Sequence, residues 1–186
     1  MGSERPLPNA QSTAIPELPE LDPGVTLLET DGARSAPLQT LAVDRLLLAG
    51  GRAVWVGTGQ HCPTASLVDV APDRRVLERI DLARGFTAYQ HLALVDDLHE
   101  QVDDDTAVVV VPAVDARYRE DVEGAEGREL LARALAGLAR VGREHGVPVL
   151  CTRTAADELA ERAAAAAAST LAVRETPMGP RFVGDE

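Results

Sequence analysis

Residues 25–49 read VTLLETDGARSAPLQTLAVDRLLLA, and the pattern of this stretch decides the fold. An apolar, β-branched start, Val25–Glu29, reads as a strand. After a polar loop, Pro37–Ala49 repeats apolar residues at helical spacing, with Leu38, Leu41, Leu46 and Leu48 among its apolar positions. Pro37 is tolerated in a first helical turn, and Gly50 with Gly51 stops the helix. A strand, a tight loop and a helix in this order outline an element that grips a nucleotide phosphate. Such a loop reads G-x-x-x-x-G-K-[ST]: glycines let backbone N–H groups close on the phosphate, Lys neutralises it, and the hydroxyl ligates Mg²⁺. Aligned on the following helix, those positions hold Asp31, Ala36, Pro37 and Leu38, with Gly32 beside the first. The cation has become a ring without an N–H and the metal ligand an isobutyl group, while Asp31 adds a carboxylate that repels phosphate. The loop reads as emptied.

Outward from this stretch the chain keeps alternating. Ala53–Val56 reads as a second strand that leaves through the Gly-Thr-Gly loop at 57–59, and an irregular passage through His61 and Pro63 follows. Ala65–Val70 and Asp73–Arg79 read as short helical pieces, and Ile80–Ala83 as a strand. Thr87–Val102 places Leu92, Val95, Leu98 and Val102 on one helix face and Asp96, Asp97 and Glu100 away from it. Ala107–Val111 is an apolar β-forming run suited to a central parallel strand. Asp115–Gly127 reads as a charged loop, Arg128–His145 as a long helix, Val147–Cys151 as a strand and Ala156–Ala168 as an alanine-rich helix. Leu171–Glu175 and Arg181–Val183 form a closing hairpin whose prolines place it at a sheet edge. This β-α-β alternation implies an α/β fold with a mainly parallel sheet and right-handed crossovers. Residues 1–20, with prolines at 6, 8, 16 and 19, read as a flexible leader, and 21–186 as one domain. Ile15–Leu21 reads as a docking segment at the leader's end.

Composition narrows the function classes. Apolar residues make up 45% and aromatics 3%, so the core must be Val, Leu and Ala. Thirty Asp and Glu face 18 cations, net −12, and every cation is Arg. A lysine-free acidic chain resembles the proteins of salt-accumulating archaea, where acidic excess keeps a surface hydrated. Such a surface argues against general binding to a phosphate backbone, which depends on cations. Two cysteines, Cys62 and Cys151, fit a reduced cytoplasmic setting. No apolar run approaches the roughly 18 residues of a membrane span.

The stretch Asp69–Leu98, DVAPDRRVLERIDLARGFTAYQHLALVDDL, carries a more specific signal. Asp69, Pro72, Val76, Leu77, Ile80, Ala83, Arg84, His91, Leu94 and Val95 fall at matching positions of a passage in the core ATPase domain of the archaeal RadA recombinases. These belong to the wider RecA-like family that also contains KaiC-type proteins. VPVLCT at 147–152 resembles that family's strand ending in Thr-Asn-Gln, and Arg117-Tyr118-Arg119 resembles the segment after its metal-binding strand. The resemblance covers Val25–Val183 and implies a RecA-like P-loop NTPase fold, without the family's separate N-terminal domain.

Against that family the departures fall on the chemistry. An ATPase of this kind needs the loop Lys and Ser/Thr, a Glu after the second strand to position water, an Asp ending the central strand for Mg²⁺, and a sensing Gln. Here the last three positions hold Gly59, Pro112 and Thr154. The implied protein is a non-hydrolysing, degenerate RadA paralogue with no catalytic residues, cofactor or metal. It would bind an active recombinase or another repair protein. Three other readings stay open: a KaiC-like regulatory module unrelated to DNA, a residual nucleotide binder using Arg34 and Asp115, and direct DNA binding without ATP, which needs a continuous Arg surface.

Other residues are weighed in the same way. His61, Cys62, His91, His99, His145 and Cys151 lack metal-ligand spacing and read as a loop thiol and ordinary surface or helix-end histidines. Asp96, Asp97 and Asp103–Asp105 read as solvated carboxylates. Arg84, Arg117, Arg119 and Arg128 are where the resemblance places contact with DNA or a partner. The competing reading is an ion network with Glu120, Asp121, Glu123 and Glu126 that cancels their potential. Phe86 and Tyr89 read as core or helix-start anchors.

Overall fold

A computed structural model describes residues 18–30, 36–59 and 65–184. In chain order the elements are β1 (Gly24–Thr30), α1 (Pro37–Ala49), β2 (Arg52–Thr58), α2 (Ala65–Val70), α3 (Arg74–Leu77), β3 (Ile80–Gly85) and α4 (Ala88–Gln101). They continue with β4 (Thr106–Val111), α5 (Ala116–Glu120), α6 (Gly124–Glu144), β5 (Pro148–Cys151), α7 (Glu158–Ala166), β6 (Ser169–Thr176) and β7 (Gly179–Gly184). The strands form one sheet in the order β3-β2-β4-β5-β1-β6-β7, parallel throughout except for the β6–β7 hairpin.

The α/β architecture follows from two-sided burial. Val108, Val109, Val110 and Val111 of β4 are each fully buried, because helices cover both faces of a central parallel strand. Alternate side chains serve different cores. Val54, Val56, Val109, Val111, Val25 and Leu27 meet α4 and α6, whereas Trp55, Val108, Val110, Leu28 and Leu150 meet α1, α2 and α3. Each fully buried Val or Leu contributes about 1.5–3 kcal/mol, so two cores built without many aromatics can hold the sheet.

Local chemistry sets the helix starts. Thr87 Oγ1 caps α4 by accepting from Gln90 N–H at 3.2 Å, and Asp73 Oδ1 caps α3 through Arg75 and Val76 N–H at 2.7 and 3.3 Å. Helix α6 passes so close to β1 that a Cβ on Gly142 would stand 2.8 Å from Gly24 Cα.

Several expectations need correction. The stretch Asp115–Gly127 is not a loop throughout: it contains α5, and α6 starts at Gly124. Gly57 and Thr58 do not leave as a loop but complete β2, because Gly57 and Thr58 pair in register with Arg84 and Gly85 of β3. Leu48 is 74% exposed. It lies about 200° around the helix from buried Leu46, so it cannot share the core face. His91 is fully buried rather than a surface residue, and Phe86 and Tyr89, at 63% and 57% exposure, start α4 without entering the core. Cys151 is a free thiol buried in β5, and burial pushes its pKa up to about 12. Of the docking segment, Leu18 and Leu21 pack against the α1 core, and residues 15–17 lie outside the described residues, as do His61 and Cys62. No helix among the described residues is long and apolar enough to cross a membrane.

Candidate functional site

Adjacent strands β1 and β5 send the chain to opposite faces of the sheet. β1 leads to α1 and β5 to α7, which sit against different cores. Where neighbouring strands part in this way, a crevice opens beyond their carboxyl ends, and in open α/β sheets it is where ligands bind. The start of α1 and the ends of β2, β4 and β5 supply the residues around it.

Asp31, Gly32 and Arg34 lie outside the described residues. Ala36 is the residue before α1 and provides no side-chain cap, and Pro37 occupies the first turn. Pro37 and Leu38 are both buried, Leu38 at 6% exposure against the α1 core. Neither a ring lacking an N–H nor an inward-facing isobutyl group supplies the donor, cation or hydroxyl that a phosphate with Mg²⁺ requires. The described residues at the start of α1 do not fit that group.

At the end of β4, Pro112 is buried and Ala113 turns the chain with a φ of +50°. The turn is held from β5: Ala113 N–H donates to Thr152 Oγ1 at 2.8 Å and Val114 N–H to Thr152 O at 2.9 Å. It delivers Asp115, wholly buried, beneath Thr154. Asp115 Oδ1 accepts from Thr154 N–H at 2.8 Å, and Oδ2 accepts from Thr154 Oγ1 at 2.9 Å and Arg119 Nη1 at 2.6 Å. Arg119 reaches on to Asp157 at 2.7 Å. The Asp157 carboxyl is held below the usual carboxylate range, first by the Ala160 N–H it caps and then by Arg119. Asp115 thus ties the β4 and β5 exits together, and three of its roughly four acceptor positions are taken up inside the protein. Beside it Arg153 pairs with Glu29 of β1 at 2.6 Å, closing the β1–β5 seam.

At the end of β2, Gly59 adopts φ +43°, and a Cβ there would stand 3.6 Å from the Arg117 guanidinium. Arg117 donates to Phe86 O at 3.2 Å, to Glu120, and to Asp121 at 3.4 Å. Behind it His91 Nδ1 and Tyr118 Oη share a hydrogen bond of 2.7 Å with the rings edge to face. Burial, with a smaller contribution from Arg117, lowers the His91 pKa to about 4. Burial, then Asp96, raises that of Tyr118. Thr58 Oγ1, His91 Nε2 and Arg117 Nε are buried without a hydrogen-bond partner. This polar cluster escaped sequence reasoning, since neither a lone Thr ending a strand nor a His within an amphipathic helix carries a distinguishing pattern.

The four arginines marked by resemblance therefore separate. Arg117 and Arg119 belong to ion networks, Arg117 with the expected Glu120 and Asp121, Arg119 with Asp115 and Asp157 instead. Arg84 is exposed on β3, and half-buried Arg128 lines a cleft of about 390 Å³ between α5, α6 and α7. Gly59 and Pro112 follow directly on β2 and β4, and Thr154 lies three residues past β5. There Thr154 spends its hydroxyl on Asp115. Among the described residues no group of three His, Cys, Asp or Glu side chains could hold a metal ion.

A family model described as Rad51 matches residues 49–185 of this chain. The matched segment starts at the last residue of α1, after the 31–38 stretch. None of the curated proteins compared matches it.

Proposed function

Because this chain belongs to the Rad51 family, we propose that it is a non-hydrolysing member that acts by binding an active recombinase or another repair protein, modulating recombination. The observation that carries this reading is the composition of the crevice: Pro37 and Leu38 open α1, Gly59 and Pro112 end β2 and β4, and Asp115 is consumed by Arg119 and Thr154. ATP hydrolysis needs transition-state charge to be met by cations and a positioned water, and those side chains are replaced together.

The surface best suited to a partner is the open edge of the sheet at β3. Among the described residues this strand pairs on one side only, with β2, so its outer edge can extend the sheet. Exposed Leu82, Phe86 and Tyr89 lie along it and at the following turn, next to exposed Arg84. Lysine-free acidity suits work in the cytoplasm of a salt-accumulating archaeon.

Calorimetry with ATP and Mg²⁺ in molar KCl tests the first half, with an active relative as the positive control. No heat that depends on Asp115 and Arg34 is expected from this protein in that salt. Saturable binding at micromolar affinity that needs Asp115 and Arg34 would sink the reading. For the second half, Leu82→Arg should abolish binding to a purified recombinase from the same cell while leaving the thermal transition in place; undiminished binding would exclude the β3 edge.

A further inference from the structure

The β6–β7 hairpin carries a charge arrangement unlike the rest of the chain. Arg174 of β6 and Arg181 of β7 face each other directly across the antiparallel ladder, so their side chains project from the same face. Both are exposed, and neither has a hydrogen bond or ion pair among the described residues. Like charges directly opposite destabilise a hairpin. In a chain with thirty carboxylates for eighteen arginines the pair is also not forced by a shortage of partners. Elsewhere Arg52, Arg117, Arg119, Arg133 and Arg153 find carboxylates, and exposed Arg75, Arg84 and Arg143, which have no ion pair among the described residues, do not face another arginine across a ladder.

Position adds to the argument. β6 runs parallel to β1, with Glu29 opposite Ala172 and Thr30 opposite Val173. Arg174 therefore lies just beyond the carboxyl end of β1, at the rim of the crevice. By strand alternation it shares the face of Glu29, whose carboxylate is already committed to Arg153. Side chains directly opposite on an antiparallel pair have Cβ atoms about 5 Å apart, so two guanidinium forks there can converge on one tetrahedral oxyanion. Two planar forks match the oxygens of a phosphate dianion better than a single carboxylate.

We infer that Arg174 and Arg181 form a clamp for a phosphate dianion at the crevice rim, carried by inorganic phosphate or by the terminal phosphomonoester of a nucleotide. The clamp is built from side chains of the β6–β7 hairpin.

The test titrates inorganic phosphate, and separately AMP, into the full chain in chloride buffer near 0.1 M, where screening leaves short-range contacts intact. Calorimetry should show saturable phosphate binding that weakens at least tenfold in Arg174→Gln and in Arg181→Gln. Melting curves supply a readout that misfolding cannot imitate. Each substitution should raise Tm in phosphate-free buffer by relieving repulsion. Each should also cut the rise of about 3 °C expected for the unmodified chain at phosphate ten times its Kd to about 1 °C or less. Equal affinity for AMP and phosphate assigns the site to the phosphate alone, and tighter AMP binding assigns it to a nucleotide. Binding that does not saturate, or that survives in both variants, overturns the proposal. ATP heat that persists in the double variant would arise elsewhere and would count against the non-hydrolysing reading, while heat lost there belongs to the hairpin.

Discussion

Asp115 gains its role from what closes on it. Its carboxylate is wholly buried, with Thr154 and Arg119 as donors, so removing it strands a partly buried guanidinium and an N–H together. Asp115→Ala is expected to destabilise the protein by roughly 2–4 kcal/mol in urea unfolding, below the full cost of a buried pair because Arg119 keeps Asp157 and some solvent. A loss under 1 kcal/mol would show that the network is ornamental. His91 sets a pH dependence. Its folded pKa near 4 lies below the ordinary 6.5, so the unfolded chain binds the proton more readily. The stability due to neutral His91 is complete above pH 6.5, falls as pH drops from 6.5 towards 4, and is gone below that. The sum is on the order of 3 kcal/mol. Comparing urea midpoints at pH 7 and pH 4.5 for the natural chain and His91→Gln isolates this contribution, because the carboxylates titrate in both. Sequence could offer Asp115 as a candidate ligand and His91 as an ordinary histidine. Neither reading could register Tyr118 and Thr154, which come from 27 and 39 residues away.

At the scale of elements, the strands and helices were legible because each writes its own periodicity. The Thr87–Val102 expectation names the cap residues on both sides of α4. Failures came where the signal is short or mixed. α5 has five residues with three charges among them, and Gly57 joins β2 only because β3 lies alongside. Packing between elements imposes demands that no propensity reveals. Helix α6 approaches β1 so closely that Gly142→Ala must push backbone apart, and a loss of about 1–3 kcal/mol in Tm-derived stability is expected. Thr87→Ala should cost about 1 kcal/mol by removing the α4 cap, with no effect on β6–β7. A loss under about 0.5 kcal/mol for Gly142→Ala would show that close approach of α6 is not the constraint the geometry implies.

For the molecule as a whole, the net charge of −12 makes self-repulsion a global term. Raising KCl from about 0.1 to about 1 M shortens the Debye length from about 10 to about 3 Å, and Tm is expected to rise by about 3 °C or more. A fall would mean that the screened Arg–carboxylate pairs outweigh the repulsion. The α/β class, the order of the elements and the edge hairpin were legible in the sequence. These depend on periodicity and on residue identity at fixed spacing, which are local properties. Strand pairing and packing settled that Asp115 and Arg119 lock β4 to β5, that β3 is an edge strand among the described residues, and that Arg174 meets Arg181 at the rim of the crevice. Those outcomes follow from strand order and register, where residues far apart in the chain become neighbours, and no local pattern records which strand will lie beside which.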